Sequence, residues 1–288
     1  MLEKILVGTD LSEPSLAVLD YLPGLKELGV REIVLTHVVF LAGTVGLEQT
    51  LIDEAERVIA EQAKSLRDAG FEVETVVEVG APVSRLTQLA EKHGVSALVV
   101  GSHGRSMLKR LLLGSVAMGL LQRSTVPVLI VRMNLCETDE GISCELLPQR
   151  PHQHLLFPTD FSEAADAAFE WLKHLAPQNA VRVTLLHALD RRMVEPEMAG
   201  LETGEEGEQE QLERLAEDLR AAGVSEVRAV VEEASAAPLI SKRAAEDDVS
   251  LIVMATHGRG ALGELVLGSV ALQVARKSPV PVLMIPAG

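Results

Sequence analysis

Gly101 and Gly104 stand three apart, nine residues follow, and then come Gly114 and Ser115, the whole motif starting directly after the apolar run "VSALVV". Glycines in such a place let the backbone approach a ligand with no Cβ in the way, exposing N–H groups as an anion nest. A Gly-Ser pair that opens the next helix adds unpaired helical N–H groups and the positive end of a helix dipole, a setting that suits phosphate. The Ser115 hydroxyl could cap that helix, donate to a phosphate, or do both in different states. His103 lies between the first two glycines, within reach of an anion, and Arg105, Lys109 and Arg110 give the loop a formal charge of +3. The same residues could also end a strand, start a helix and do nothing more. Two other phosphate-binding patterns drop out. No G-x-x-x-x-G-K-[ST] string occurs. The dinucleotide-type string at Gly258, Gly260 and Gly263 lacks the acid, about 20 residues on, that holds a ribose; "VPVLMIPAG" offers none.

The loop occurs twice. "ALVVGSHGRSMLKRLLLGSVA" from Ala97 answers "LIVMATHGRGALGELVLGSVA" from Leu251, and "STVPVLIV" from Ser124 answers "SPVPVLMI" from Ser278, both at an offset of 154. Nearer the start, "ILVGTDLSEPSLAVLDYL" from Ile5 answers "LLFPTDFSEAADAAFEWL" from Leu155, and "IVLTHVV" from Ile33 answers "VTLLHAL" from Val183, at an offset of 150. The repeat is roughly 135 residues, a whole domain rather than a solenoid unit. The expected division is domain one over 1–132, a linker over 133–152 and domain two over 153–288. The linker is polar, carries Pro148 and Pro151, and lacks helical or strand periodicity.

Within each copy, short Val/Ile/Leu runs alternate with longer segments of helical period. In the first copy this predicts strands near 3–9, 31–38, 71–79, 96–101 and 126–132, with helices over 13–28, 47–69, 82–93 and 115–123. The acidic stretch from Glu195 in the second copy reads first as a solvated loop and helix face, its later part matching the second helix of copy one. Such alternation implies βαβ units: an α/β fold of two repeated doubly wound domains, each a five-stranded parallel sheet with helices on both faces. Ligands in open α/β sheets sit at the carboxyl ends of strands, at the topological switch point. That rule gathers Asp10, His37 and the 101–115 loop at one edge.

Composition limits the partners. The net charge of −16 disfavours non-specific nucleic-acid binding and docking on anionic lipid. Aromatic residues are only 2%, so the core is aliphatic. No apolar stretch reaches the length of a membrane span and no signal peptide is legible, so a soluble, cytoplasmic protein is expected. Cys136 and Cys144 read as two incidental thiols, and no metal-type cluster accompanies them.

The chain resembles a tandem member of the universal stress protein family, with one such domain in each half. The likeness rests on "VGTDLSE" and "PTDFSE", "LTHVV" and "LLHAL", the G-x-x-G-x9-G-S loop and the terminal "VPVLIV" strand. It implies an adenine nucleotide alpha hydrolase-like fold with ATP laid across the strand ends. Asp10 would then lie near the ribose, Val38 beside adenine, and Gly101, Gly104, Gly114 and Ser115 around the phosphates, with any Mg2+ held by phosphate oxygens and water. The matching second site is Asp160, Ala188, Gly258, Gly268 and Ser269, and it is expected to be weaker. There Gly101 becomes Ala255, Lys109 becomes Gly263, Arg110 becomes Glu264, and Arg259 with Glu264 leaves the loop formally neutral. At about 1–4 kcal/mol per close charge, a polyanion should register that difference. No catalytic residue is assigned, because neither a nucleophile turn nor a carboxylate placed to orient water is evident. The expected function is a nucleotide-responsive adaptor in stress or regulation; the alternatives are a scaffold that binds no nucleotide, or a slow ATPase. The resemblance also implies pairing of the last strands within the chain as a pseudo-dimer, with a homodimer and an unknown protein partner as further associations.

Overall fold

The computed structural model describes residues 2–41, 48–102, 113–132, 134–138, 141–145, 150–179, 182–190, 205–258 and 267–287. The chain divides into two compact units, 1–149 and 150–288.

In the first unit the strands are β1 (Lys4–Thr9), β2 (Glu32–Val39), β3 (Glu72–Val79), β4 (Ala97–Gly101) and β5 (Val128–Val131). Between them run α1 (Glu13–Tyr21), α2 (Glu48–Asp68), α3 (Pro82–His93) and α4 (Ser115–Arg123). The helix expected over 13–28 divides: α1 stops at Tyr21 and a 3-10 segment, Leu22–Leu28, continues to Gly29. Pro23 accounts for the change, since its ring cannot occupy an α-helical interior without losing a hydrogen bond. All pairings in this sheet are parallel, in the order β5-β4-β1-β2-β3. The interior strands are almost wholly buried aliphatics, as a parallel sheet covered on both faces requires. β3, at the edge, instead carries Glu72, Glu74 and Glu78, charges that discourage a further strand from pairing there.

β1 to β3 are laid down on one side of β1, and β4 and β5 on the other. The switch point therefore lies between β1 and β4. At their amino ends the two strands are stapled: Ser96 N–H donates to Lys4 O at 2.8 Å and the Ser96 hydroxyl donates to the same oxygen at 2.8 Å. The carboxyl ends remain for a ligand.

The segment expected as the linker contains an antiparallel hairpin, β6 (Asn134–Thr138) with β7 (Gly141–Glu145). Each strand is only five residues, too short for periodicity to show in sequence. Leu135 faces Cys144 and Cys136 faces Ser143 in the register, so the cysteines are not cross-strand partners.

The second unit repeats the plan with β8 (His154–Thr159), α5 (Glu163–Asn179), β9 (Arg182–Ala188), α6 (Glu205–Ala221), β10 (Glu226–Glu232), α7 (Ala236–Glu246), β11 (Leu251–Ala255), α8 (Ser269–Lys277) and β12 (Val282–Ile285). Its strands are also parallel, ordered β12-β11-β8-β9-β10, with the switch point between β8 and β11. The acidic stretch resolves into α6 from Glu205 onward; its earlier part lies outside the described residues.

Candidate functional site

In the first unit Asp10 directly follows β1, level in register with Val38 of β2, and Gly101 ends β4. A tight turn fixes the Asp10 carboxylate. Its Oδ1 accepts from Ser12 N–H at 3.1 Å and from the hydroxyls of Ser12 and Ser15, while Asp10 N–H donates back to Ser15 Oγ at 3.2 Å. Leu11, next in the turn, sits at φ 60°, a left-handed conformation rare for a Leu, with its N–H donated to Thr9 Oγ1 at 3.1 Å. The second unit repeats both details: Phe161 stands at φ 55°, its N–H reaches Thr159 Oγ1 at 3.0 Å, and Asp160 Oδ1 accepts from Ser162 N–H and Oγ at 3.1 and 2.6 Å. A left-handed Leu or Phe costs on the order of 1–3 kcal/mol, so a strained corner kept in both copies marks the strand ends as a special place. Sequence reasoning missed it, because neither residue type advertises a positive φ.

His37 and His187 orient that corner. Nδ1 of His37 donates to Thr9 O at 2.8 Å and Nδ1 of His187 to Thr159 O at 2.8 Å, both rings being buried. Each therefore braces the residue before the site aspartate.

The loop after β4 is clamped at its two described ends. Ser102 N–H donates to Val131 O at 2.9 Å and Gly114 N–H donates to Ser102 O at 2.9 Å. Thr256 N–H to Ile285 O and Gly268 N–H to Thr256 O, both 2.9 Å, repeat the arrangement. His103, Gly104 and Arg105, with Lys109 and Arg110, lie outside the described residues, as do Arg259 and Glu264. One expectation is corrected. The N-caps of α4 and α8 are Gly114 and Gly268, with no side-chain cap hydrogen bond; Ser115 and Ser269 are the first helical residues. Glycine takes the cap position because the backbone turns there against the strand-end residues: a Cβ on Gly268 would stand 3.2 Å from Thr256 O. The serine hydroxyls therefore sit on the opening turn of each helix and do not cap it.

Across the second switch point the two walls meet. A Cβ built on Gly258 would collide with the carboxylate of Asp160 unless that carboxylate moved, so glycine here permits the close approach as it stands. Beside it, His257 Nδ1 is 2.8 Å from Thr256 Oγ1, and its buried Nε2 has no hydrogen-bond partner among the described residues. The second unit differs from the first in other ways. Ala255, in place of Gly101, is buried. The Phe161 ring packs on His187 at 4.6 Å between centroids, and Glu208 Oε1 stands 3.6 Å from His187 Nε2. Glu208 occupies the place of buried Ala55 when the helices are aligned back from Gly70 and Gly223. Its other carboxylate oxygen is buried without a hydrogen-bond partner among the described residues.

The sequence model of the universal stress protein family matches residues 1–132 and again 151–286. The chain belongs to that family. Among curated relatives, the universal stress protein Rv2623 of Mycobacterium tuberculosis is 30% identical over 238 residues, covering 81% of this chain and 74% of its own length. A single-domain relative, the universal stress protein MJ0577 of Methanocaldococcus jannaschii, is 33% identical over 155 residues, 46% of this chain and 96% of that protein. Among solved structures, a universal stress protein from Archaeoglobus fulgidus matches over 100% of both chains at 28% identity, with a TM-score of 0.80. Universal stress protein domains thus fill both repeats, and the α/β fold read from the alternation of strands and helices is that of the family. Among the described residues no helix is long and apolar enough to cross a membrane.

Proposed function

We propose that the first unit binds ATP across the carboxyl ends of β2, β1 and β4, and that the chain is a cytoplasmic, nucleotide-responsive regulatory protein of the stress response rather than an efficient catalyst. The observation that carries this reading is the switch point itself. Asp10 closes one wall, Gly101 and the clamped Gly114 close the other, and the amino end of α4 opens onto the same edge. Strands lie about 4.8 Å apart, so β2 and β4 are separated by about 10 Å, a span over which a nucleotide reaches from base to phosphates. Asp10, pre-oriented by its turn, would face the ribose and Val38 the base. Gly101, His103, Gly104, Arg105, Gly114 and Ser115 would face the phosphates through backbone N–H, hydroxyl and cationic groups. The described residues gather no three His, Cys, Asp or Glu side chains fit to hold a metal, so a divalent ion would enter on the phosphate oxygens.

Calorimetry with ATP tests the reading. The wild type should bind, and Gly104→Val with Gly114→Val should abolish binding while leaving the fold intact by circular dichroism; a wild type that takes no ATP contradicts it. For the second unit, with Asp160, Ala188, Gly258, Gly268 and Ser269, a scaffold role is favoured by the buried methyl of Ala255 where the first unit has Gly101. The pseudo-dimer, a homodimer and a protein partner belong to the same reading and rest on the family resemblance.

A further inference from the structure

Phe40 follows β2 directly and exposes 65% of its surface. The chain has only five phenylalanines. Phe71, Phe157 and Phe169 are buried and Phe161 is half-buried, so Phe40 departs from what the others do. Leu16, on the opening turns of α1, is the other large apolar side chain exposed among the described residues. Both therefore stand in the first unit at the carboxyl ends of β1 and β2. At an offset of 150 both are replaced in the second unit by acids, Leu16 by Asp166 and Phe40 by Asp190. Asp190 is moreover engaged locally, its Oδ2 accepting from Ser235 Oγ at 3.1 Å.

Position decides what an exposed aromatic ring could meet there. Side chains alternate along a strand, so Phe40 continues the side of β2 on which Val38 lies, while His37 and Val39 take the other. The exposures follow that rule: Val38 half-buried, Val39 buried, Phe40 exposed. The ring thus stands one step beyond Val38, at the base end of the edge on which Asp10 and the Gly101–Gly114 loop ends lie. A flat apolar ring with a free face is suited to a flat, neutral π system and does nothing for a phosphate.

We propose that Phe40 is the base-stacking residue of the first site, and that Asp190 in its place removes this platform from the second. The inference rests on the nucleotide reading above and names the group that holds the base. Stacking is tolerant of base identity, so Phe40 adds affinity for nucleotides in general and leaves selectivity among bases to the neighbouring polar groups.

The full chain is titrated with ATP and, separately, with inorganic tripolyphosphate, as wild type, Phe40→Ala and Phe40→Trp. Phe40→Ala should weaken ATP by roughly five- to a hundredfold, the scale of one lost stack, and leave tripolyphosphate within about twofold on the same scale. Phe40→Trp should retain ATP binding and show fluorescence quenching on addition of ATP but not of tripolyphosphate. If the wild type binds ATP and Phe40→Ala binds it equally well, the inference fails while the nucleotide reading stands. An equal loss for both ligands overturns it too, because the ring would then be shaping the site as a whole. Sedimentation showing that Phe40→Ala dissociates a wild-type oligomer, with ATP affinity unchanged, would assign the ring to a second copy of the chain and overturn it. A wild type that binds no ATP overturns both claims together.

Discussion

Single side chains in this protein carry consequences that can be measured without knowing the ligand. Tyr21 is completely enclosed, and its hydroxyl has no hydrogen-bond partner among the described residues. Burial pushes the phenol far above its ordinary range, so it stays neutral at any working pH. Removing a buried, unpartnered hydroxyl relieves a desolvation cost, and Tyr21→Phe should stabilise the chain by about 1 kcal/mol in a urea titration. His154 shows the opposite economy. Its Nδ1 donates to Asp247 O and its Nε2 accepts from Thr184 Oγ1, each at 2.8 Å, and burial lowers its pKa below the ordinary 6.5. A base whose folded pKa is depressed costs nothing while both states are neutral. As the pH falls through about 6.5 the unfolded chain takes the proton first, so stability drops until the folded imidazole also protonates. Unfolding midpoints at pH 7.5 and 5.5 should therefore differ more in the wild type than in His154→Gln.

At the scale of elements, the site is made by how helices are held against strand ends. Gly119 in α4 faces Val83 of α3, where an added Cβ would come 2.6 Å from Val83 Cγ2. Alanine favours helix by about 1 kcal/mol over glycine, but a stiff valine cannot yield by a full ångström, and overpacking of that kind costs roughly 1–3 kcal/mol. Gly119→Ala should thus lower the denaturation midpoint despite its better propensity. The strands and helices themselves were legible in sequence, because aliphatic runs and helical period mark them strongly. Pro23 carried the signal that α1 ends early, but the pattern continues through it and hides the change. The β6–β7 hairpin was not legible, since five polar-rich residues per strand leave no period to count. Ser115 looked like a helix cap from its type alone. The caps are Gly114 and Gly268, and at Gly268 the strand-end backbone comes close enough to favour a residue without a Cβ.

For the whole molecule, the repeat made Asp10 and the glycine loop recognisable, and its inexact copies point to two sites of different character. The first unit pairs Gly101 with an exposed Phe40 and a loop of formal charge +3; the second has Ala255, Asp190 and a neutral loop. The Phe161–His187–Glu208 contact was hidden from sequence, because it joins three residues distant in the chain, one of them in a helix position that is alanine in the other copy. The central claim is that one unit, the first, holds the nucleotide. The most direct test is the calorimetric stoichiometry of ATP on the full chain, compared between Gly114→Val and Gly268→Val. One ATP per chain, lost in Gly114→Val and kept in Gly268→Val, is the predicted result; two equal sites, or loss only in Gly268→Val, would contradict it.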